Sequence, residues 1–347
     1  MTTNGIYIYG IVPNFYGAEH FRSLKKLGVY FISFQNISAI VSDCETAHFD
    51  LSDRESLAHL LVHHQKTIEG IMAIGFKMIL PVKLGTIIQT KNEVLNILSN
   101  GHDLIITTLN KIEYLTEIDM AITWVDFPGI LKEISVHPEI IIIKDDILKK
   151  TGLLSKVDQV KVGMLVQAKL TEKNKATELK ILDTLSPFCM DVKMHEVMND
   201  QMITNSAFLI NRNNIEKFEQ AINQLDEKFE GLLNFKLVGP LPCYSFFTIE
   251  VKELNPEQVE LAIKDLELKE ETSESEIKKA FLEKAKLFHP DATNVDNNNV
   301  ENFNRINKAY HTLRDYSASA SQTSKEGFIS LAKEEINKNL ILVKIKE

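Results

Sequence analysis

The sequence has few cysteines and no long apolar run. Its 347 residues include three cysteines, Cys44, Cys189 and Cys243, and none of them forms a Cys-x-x-Cys pair. We therefore expect a protein of a reducing compartment without a structural zinc site. No stretch reaches about 18 apolar residues without a charge, the length that a membrane span needs. The first residues also lack a basic segment, so neither a membrane span nor a signal peptide is predicted.

An excess of positive charge is also missing. The chain has 39 Lys and Arg against 48 Asp and Glu, a formal net charge of −9. Such a protein has no overall positive field that would attract nucleic acid, so nucleic acid is not an expected partner. The hydrophobic share of 44% and the charged share of 25% are ordinary for globular proteins. The length allows two or three domains, each with its own core.

Familiar catalytic and cofactor motifs are absent from the sequence. It contains no Gly-x-Gly-x-x-Gly, Walker loop, Gly-x-Ser-x-Gly or His-Glu-x-x-His pattern, so neither an enzyme nor a cofactor is predicted. The only dense histidine cluster is His59, His63 and His64. On a helix, His59 and His63 share one face, whereas His64 falls on the opposite, apolar face. The three side chains cannot hold one ion, so no metal site is expected, and a metal-dependent enzyme is the weakest alternative.

The apolar periodicity predicts an α+β fold over the first two thirds of the chain. Residues 6–12 have the β-branched and aromatic composition of a strand, and a helix over about 53–73 follows a Ser-Asp-Arg-Glu capping pattern. A Pro-Gly pair at 128 and 129 interrupts the alternation of strands and helices. We therefore predict one α+β domain over residues 1–127 and a second over residues 128–252.

The last third of the sequence predicts a small helical domain over residues 256–316. A capping box at Ser273-Glu274-Ser275-Glu276 opens a helix whose apolar residues share one face. The tripeptide His289-Pro290-Asp291 ends this helix, because a residue before proline disfavours the α conformation. A second amphipathic helix follows over about 300–313. We expect residues 317–347 to form a Ser-rich linker and then a strand-like tail that docks on a sheet edge.

The two helices and the tripeptide between them resemble a J domain, the module that docks on DnaK-type chaperone ATPases. The resemblance covers residues 264–316 and rests on residues 277–291 and 303–310. It implies that His289, Pro290 and Asp291 stimulate ATP hydrolysis by the chaperone. It also implies that Lys278 and Lys279 supply electrostatic docking. This chain has Leu282 and Glu283 where the family usually carries basic residues, which implies either weaker docking on a generic chaperone or a specialised module.

Four motifs in the first 251 residues resemble the gas vesicle protein L/F family. They are Gly-Ile-Tyr-Ile-Tyr-Gly-Ile-Val at residues 5–12, Leu-Pro-Val-Lys-Leu-Gly-Thr at 80–86, Asn-Ser-Ala-Phe-Leu-Ile at 205–210 and Gly-Pro-Leu-Pro-Cys-Tyr-Ser-Phe at 239–246. The resemblance implies two α+β domains, the second ferredoxin-like. It assigns a structural or client-binding role to seven motif residues: Pro81, Gly85, Gly239, Pro240, Pro242, Tyr244 and Phe246.

Together the two resemblances imply an accessory protein that helps to build gas vesicles. Its expected partners are the very apolar vesicle wall protein, other gas vesicle accessory proteins and a DnaK-type chaperone. Its expected location is the cytoplasm, in association with gas vesicles. A general J-domain co-chaperone for diverse clients is the alternative, and the range of clients distinguishes the two.

Overall fold

A five-stranded antiparallel sheet forms from the N-terminal part of the chain in the computed structural model, which describes residues 4–15, 24–45, 53–151, 153, 155–288, 297–323 and 328–346. Its strands follow the order β2-β3-β1-β4, and β5 also pairs with β1. Residues 5–12 of β1 are all buried. Because successive side chains of a strand point to opposite faces, both faces of β1 are covered, as expected for a central strand. The strands are β1 (Asn4–Pro13), β2 (Tyr30–Phe34), β3 (Ile37–Glu45), β4 (Leu80–Pro81) and β5 (Ile87–Ile88).

This sheet is accompanied by the helices α1 (Arg54–Ala73), α2 (Lys91–Asn100) and α3 (His102–Ile112). Asp53 caps α1 by accepting a hydrogen bond from the Ser56 backbone N–H at 2.9 Å. The cap therefore lies one residue after the predicted one at residue 52, which is outside the described residues.

The middle of the chain has the ferredoxin-like topology that was predicted. Its four strands are antiparallel and follow the order β7-β8-β6-β9, with helices after β6 and between β8 and β9. One face of β6, including Met120 and Ile122, packs against the helices in a single core. The elements are β6 (Leu115–Trp124), α4 (Phe127–Ser135), α5 (Pro138–Thr151), α6 (Lys156–Leu185), β7 (Asp191–Met194), β8 (Met202–Asn211), α7 (Ile215–Lys228) and β9 (Leu233–Leu241).

The chain divides into two compact units at positions that differ from the sequence-based boundaries. The first unit contains Met1–Glu113 and Phe247–Glu347, and the second contains Tyr114–Phe246. The prediction placed β6 before the boundary at residue 127. In the structure β6 lies in the middle of the second unit's sheet, because it pairs with both β8 and β9. The Pro-Gly pair at 128 and 129 lies in the first turn of α4, where proline is tolerated.

The C-terminal region joins the first unit. Its elements are β10 (Thr248–Glu253), α8 (Pro256–Leu266), β11 (Glu271–Ser273), α9 (Glu274–Phe288), α10 (Asn297–Thr323), β12 (Phe328–Ser330), α11 (Lys333–Lys338) and β13 (Ile341–Lys346). The strand-like tail is confirmed, because β13 pairs antiparallel with β10 along six residue pairs. The strand β10 also touches the N-terminal part, where the Lys83 backbone N–H donates to the Ile249 carbonyl oxygen at 2.9 Å.

The linker predicted to start at residue 317 is wrong over its described part. Residues 317–323 continue α10, and Ser317, Ser319 and Ala320 are buried. The Ser319 hydroxyl donates to the Ile341 carbonyl oxygen at 2.8 Å. Small side chains allow a helix to approach a neighbouring strand closely. The Ser-Ala alternation therefore marks a packed helix face here and not a flexible connection.

Within the described ranges, no helix combines the length and the apolar character needed to cross a membrane.

Candidate functional site

The segment from Gly239 to Phe246 folds over the buried carboxyl group of Glu117 on β6. Glu117 is 1% exposed. The backbone N–H of Ser245 donates to Glu117 Oε2 at 2.8 Å, and Ser245 Oγ lies 2.9 Å from Glu117 Oε1. A Cβ atom added to Gly239 would lie 2.9 Å from the Glu117 carbonyl oxygen. This motif therefore packs as a tight turn against the first strand of the second unit.

The remaining residues of this motif differ in their exposure. Pro242 and Phe246 are buried, Tyr244 is half-buried, and Pro240 is exposed. Lys193 Nζ lies 5.5 Å from the centre of the Phe246 ring, within the range of a cation–π contact. The motif thus has an exposed first part, Gly239 and Pro240 near the end of β9, and a largely buried second part from Pro242 to Phe246.

Two carboxyl groups share the environment beneath this turn. Burial raises the pKa of Glu117 above its usual range, although the hydrogen bonds from Ser245 oppose the shift. Burial also raises the pKa of the neighbouring Asp119. His195 Nε2 lies 3.2 Å from Ser245 Oγ. The Glu117 carboxyl group contacts Ser245, whereas in a Ser-His-Asp triad the carboxylate contacts the histidine.

The second family motif, at residues 80–86, is tied to β1 and α1. Pro81 lies in β4 opposite Gly10, and Gly85 has a φ of 83°, a backbone conformation that favours glycine. The Gly85 backbone N–H donates to the Tyr7 hydroxyl at 3.4 Å. Tyr7 Oη also lies 2.9 Å from His64 Nδ1. Tyr7 therefore connects this motif to the opening strand motif and to α1.

The three histidines of α1 have separate environments. His64 is buried, and this burial lowers its pKa to about 4. His63 is exposed but lies 3.2 Å from the Tyr9 hydroxyl, and His59 is exposed. Among the residues that the structure describes, no group of three His, Cys, Asp or Glu side chains is arranged to hold a metal ion.

The helices of the J-like region pack as their apolar stripes predict. Ser273 and Glu276 form the predicted capping box, because the Ser273 backbone N–H donates to Glu276 Oε2 at 2.8 Å and the Glu276 backbone N–H donates to Ser273 Oγ at 3.3 Å. Ile277 of α9 is buried in a cluster with α10. The rings of Phe281 and Tyr310 stack with their centres 4.3 Å apart. The two helices thus form one core with α8 and α11.

The predicted chaperone-docking residues lie on and after α9. Lys278 and Lys279 are exposed. Lys279, Glu283 and Lys286 follow one another at helical spacing on the exposed side, so an acid interrupts the basic stripe. His289, Pro290 and Asp291 are outside the described residues.

A buried carboxylate fastens α10 to the strands β10 and β13. Asp315 Oδ2 lies 2.5 Å from Lys252 Nζ, and Asp315 Oδ1 lies 2.7 Å from Lys344 Nζ. Burial alone would raise the pKa of Asp315, but the two lysine contacts outweigh it and lower this pKa. The amide of Gln322 adds a hydrogen bond to the Val343 carbonyl oxygen at 2.7 Å. The second helix of the J-like region is therefore held against the sheet formed by the chain terminus.

Sequence reasoning missed the acidic residues of both sites. Glu117 and Asp119 alternate within the otherwise apolar stretch Leu-Thr-Glu-Ile-Asp-Met-Ala-Ile-Thr-Trp. A charge at every second position of a strand indicates a polar sheet face, and this signal was available. Asp315 carries no such signal, because its lysine partners lie far away in the sequence.

Comparisons with known protein families account for most of the chain. The family model described as gas vesicle synthesis protein GvpL/GvpF matches residues 5–248, and the DnaJ domain model matches residues 264–321. Gas vesicle protein F of Dolichospermum flosaquae is 23% identical over 247 residues, which are 71% of this chain and 98% of that protein. Gas vesicle protein F1 of Halobacterium salinarum is 20% identical over 264 residues, 72% of this chain and 95% of that protein.

Two crystal structures of gas vesicle proteins have a similar fold. GvpF from Anabaena sp. matches with a TM-score of 0.57 and 23% identity, over 70% of this chain and 97% of that chain. GvpF from Microcystis aeruginosa matches with a TM-score of 0.55 and 22% identity, over 70% of this chain and 98% of that chain. These relatives align over nearly their whole length, so the C-terminal region is additional to them.

Proposed function

The chain belongs to the GvpL/GvpF family and carries a DnaJ domain, and we propose that it holds the vesicle wall protein and recruits a DnaK-type chaperone to release it. The proposed activity is non-enzymatic: ATP is hydrolysed by the chaperone. We place this action in the cytoplasm at growing gas vesicles, together with other gas vesicle accessory proteins.

The observation that carries this proposal is the presence of both modules in one chain. The family model ends at residue 248 and the DnaJ model begins at residue 264. A very apolar wall protein aggregates unless its apolar surface is covered before assembly. A holding surface fused to a chaperone-recruiting domain brings the chaperone to the bound client at high local concentration.

The packing of the C-terminal region supports coupling between the two modules. The helix α10 belongs to the DnaJ match, yet its last turns pack on β13 through Ser319 and Gln322. Asp315 adds ion pairs to both strands of that small sheet. A chaperone that docks on α9 would therefore act on a part of the first unit and not on a freely tethered domain.

The test is stimulation of a DnaK-type ATPase by the full-length chain. We expect His289→Gln to abolish stimulation and leave the circular dichroism and the melting temperature unchanged, because residue 289 is not part of the apolar stripe of α9. Full stimulation by a folded His289→Gln protein would refute the proposed role of the tripeptide.

The interrupted basic stripe provides a second test with a matched control. Glu283→Lys changes the local charge by two and makes the stripe of Lys279 and Lys286 continuous, so docking should become stronger. The gain should shrink as salt rises, because attraction between exposed charges is screened within about 10 Å at 0.1 M salt. Glu301→Lys makes the same change at an exposed position of α10 and should have no comparable effect. Equal effects of both variants would contradict docking on α9.

A general J-domain co-chaperone is the second candidate, favoured by the DnaJ match alone. The two candidates differ in client range. A pull-down with the full chain from a vesicle-forming cell, read by mass spectrometry, should recover the wall protein as the dominant client. Recovery of many unrelated chains without the wall protein would favour the general co-chaperone.

A further inference from the structure

The strand β9 forms an open edge of the ferredoxin-like sheet. It pairs with β6 on one side, and no strand in the described part of the chain pairs with its other side. The Val125 backbone N–H donates to the Leu232 carbonyl oxygen at 3.0 Å. Backbone groups of an antiparallel strand alternate in direction, so residues 234, 236 and 238 point toward β6. The N–H and C=O groups of Leu233, Phe235 and Leu237 therefore point away from the sheet.

Two apolar side chains of this edge strand, Leu237 and Val238, are exposed. Leu237 is 42% exposed and Val238 is 40% exposed in the full chain, and Phe235 is only partly buried against the core. Leu237 lies on the same face as Phe235, because side chains on one face of a strand are two residues apart. A strand placed beside β9 would satisfy the outward backbone groups and cover Leu237.

The edge is usable over residues 233–238. The pairing of β9 with β6 shifts register between Val238 and Leu241, at Gly239 and Pro240, and such an irregularity ends regular pairing. The opposite edge of the sheet is β7, which has only four residues. The long edge strand is therefore the better template for strand addition in this unit.

Charge separates the possible occupants of this edge. Residues 233–241 include one charged side chain, Lys236, and no acid. A second copy of β9 would add a second positive charge to the interface and no negative charge. A neutral or acidic segment would meet no such repulsion. An extended apolar segment with alternating small polar or acidic residues fits both the backbone and the side chains of this edge.

We propose that β9 binds an extended segment of the vesicle wall protein as a fifth strand of the sheet. This inference rests on the proposed function, because it names the surface that holds the client. Backbone hydrogen bonds would supply affinity, and the apolar surface around Phe235 and Leu237 would select alternating apolar side chains.

Two variants of the edge and one matched control test the proposal in the full-length chain. Leu237→Lys places a charge in the apolar contact, and we expect at least tenfold weaker binding of the wall protein. Leu237→Pro removes the outward N–H together with the leucine side chain. Edge strands tolerate proline at such a position, so we expect a similar loss of binding with an unchanged fold. Leu179→Lys is the control, because Leu179 is 49% exposed on α6 and lies outside the edge. It should leave binding within twofold of the parent protein.

Amide hydrogen exchange read by NMR provides the direct signature of strand addition. The amides of Phe235 and Leu237 should exchange rapidly in the free protein and slowly after wall protein is added. The amides of Lys236 and Val238, which face β6, should be slow in both states. The probe is the purified wall protein kept dispersed in mild detergent, with detergent alone as the blank.

The outcomes separate the edge from the proposed function. The edge proposal is overturned, and the carrier function left intact, if binding persists in both Leu237 variants and the amide exchange of Phe235 and Leu237 in the parent protein does not change. Protection of these amides that depends on the concentration of this chain alone assigns the edge to a second copy and also overturns the proposal. Absence of any wall-protein binding overturns the edge proposal and the carrier function together.

Discussion

Acidification should weaken the first unit at one identifiable contact, between Tyr7 of β1 and His64 of α1. His64 is 4% exposed, and its Nδ1 atom lies 2.9 Å from the Tyr7 hydroxyl. Burial lowers the pKa of His64 from 6.5 to about 4. The folded protein therefore holds His64 neutral, whereas the unfolded chain takes up a proton already near its ordinary pKa.

The sign and size of the effect follow from proton linkage. Between pH 6.5 and pH 4 the unfolded chain binds more protons at His64 than the folded chain does. The stabilisation is complete above pH 6.5 and is lost as pH falls toward about 4. A difference of about 2.5 pKa units at about 1.4 kcal/mol each corresponds to roughly 3 kcal/mol.

Hydrogen exchange read by mass spectrometry on peptides from β1 and α1 measures this effect. The only tryptophan, Trp124, lies in the second unit, so tryptophan fluorescence does not report on His64. His64→Gln is neutral at every pH and should remove the acid sensitivity from these peptides. His59→Gln changes an exposed histidine of the same helix and should behave as the parent protein does. Equal pH dependence of the parent protein and His64→Gln would refute the reasoning.

Three further changes probe the other contacts. Asp315→Asn removes the carboxylate between two lysines and should cost about 2 kcal/mol, seen as faster exchange of the β13 amides; unchanged exchange would contradict the role of this ion pair. Gly239→Ala forces a Cβ atom against β6 and should destabilise the second unit by about 2 kcal/mol in urea unfolding followed by Trp124 fluorescence; a neutral result would show that the turn relaxes freely. The pKa of Glu117 is raised in the folded protein, so the parent protein should lose stability as pH rises from 4.5 through this raised value. Glu117→Gln should flatten that decline in the same fluorescence assay. A parallel decline in the variant would rule out the Glu117 carboxyl group as its source.

Local patterns in the sequence were sufficient to predict several elements. The capping box at Ser273 and the stripe that begins at Ile277 lie close together in the chain, and they predicted the helix α9. The apolar run at residues 339–346 predicted a docked strand, and β13 confirms it. The alternation of strands and helices in the middle of the chain agreed with the ferredoxin-like resemblance.

Features that depend on residues far apart in the chain could not be predicted from local sequence patterns. The strand β6 belongs to the second unit because β8 and β9 pair with it, which no local pattern around residue 127 reveals. The buried face of α10 at Ser317 and Ser319 depends on β13. The composition of this segment predicts a linker, because small polar residues are typical of linkers and the local sequence does not show that β13 packs against them.

Release of the wall protein by a chaperone tests the central claim most directly. Dispersed wall protein is diluted from detergent with the full-length chain, and light scattering measures whether the chain prevents aggregation. A DnaK-type chaperone and ATP are then added, and transfer of labelled wall protein away from the chain is measured. We predict that the parent protein and His289→Gln hold the wall protein equally well, and that only the parent protein releases it. Equal release from both proteins, or aggregation of the wall protein in the presence of either, would contradict the account.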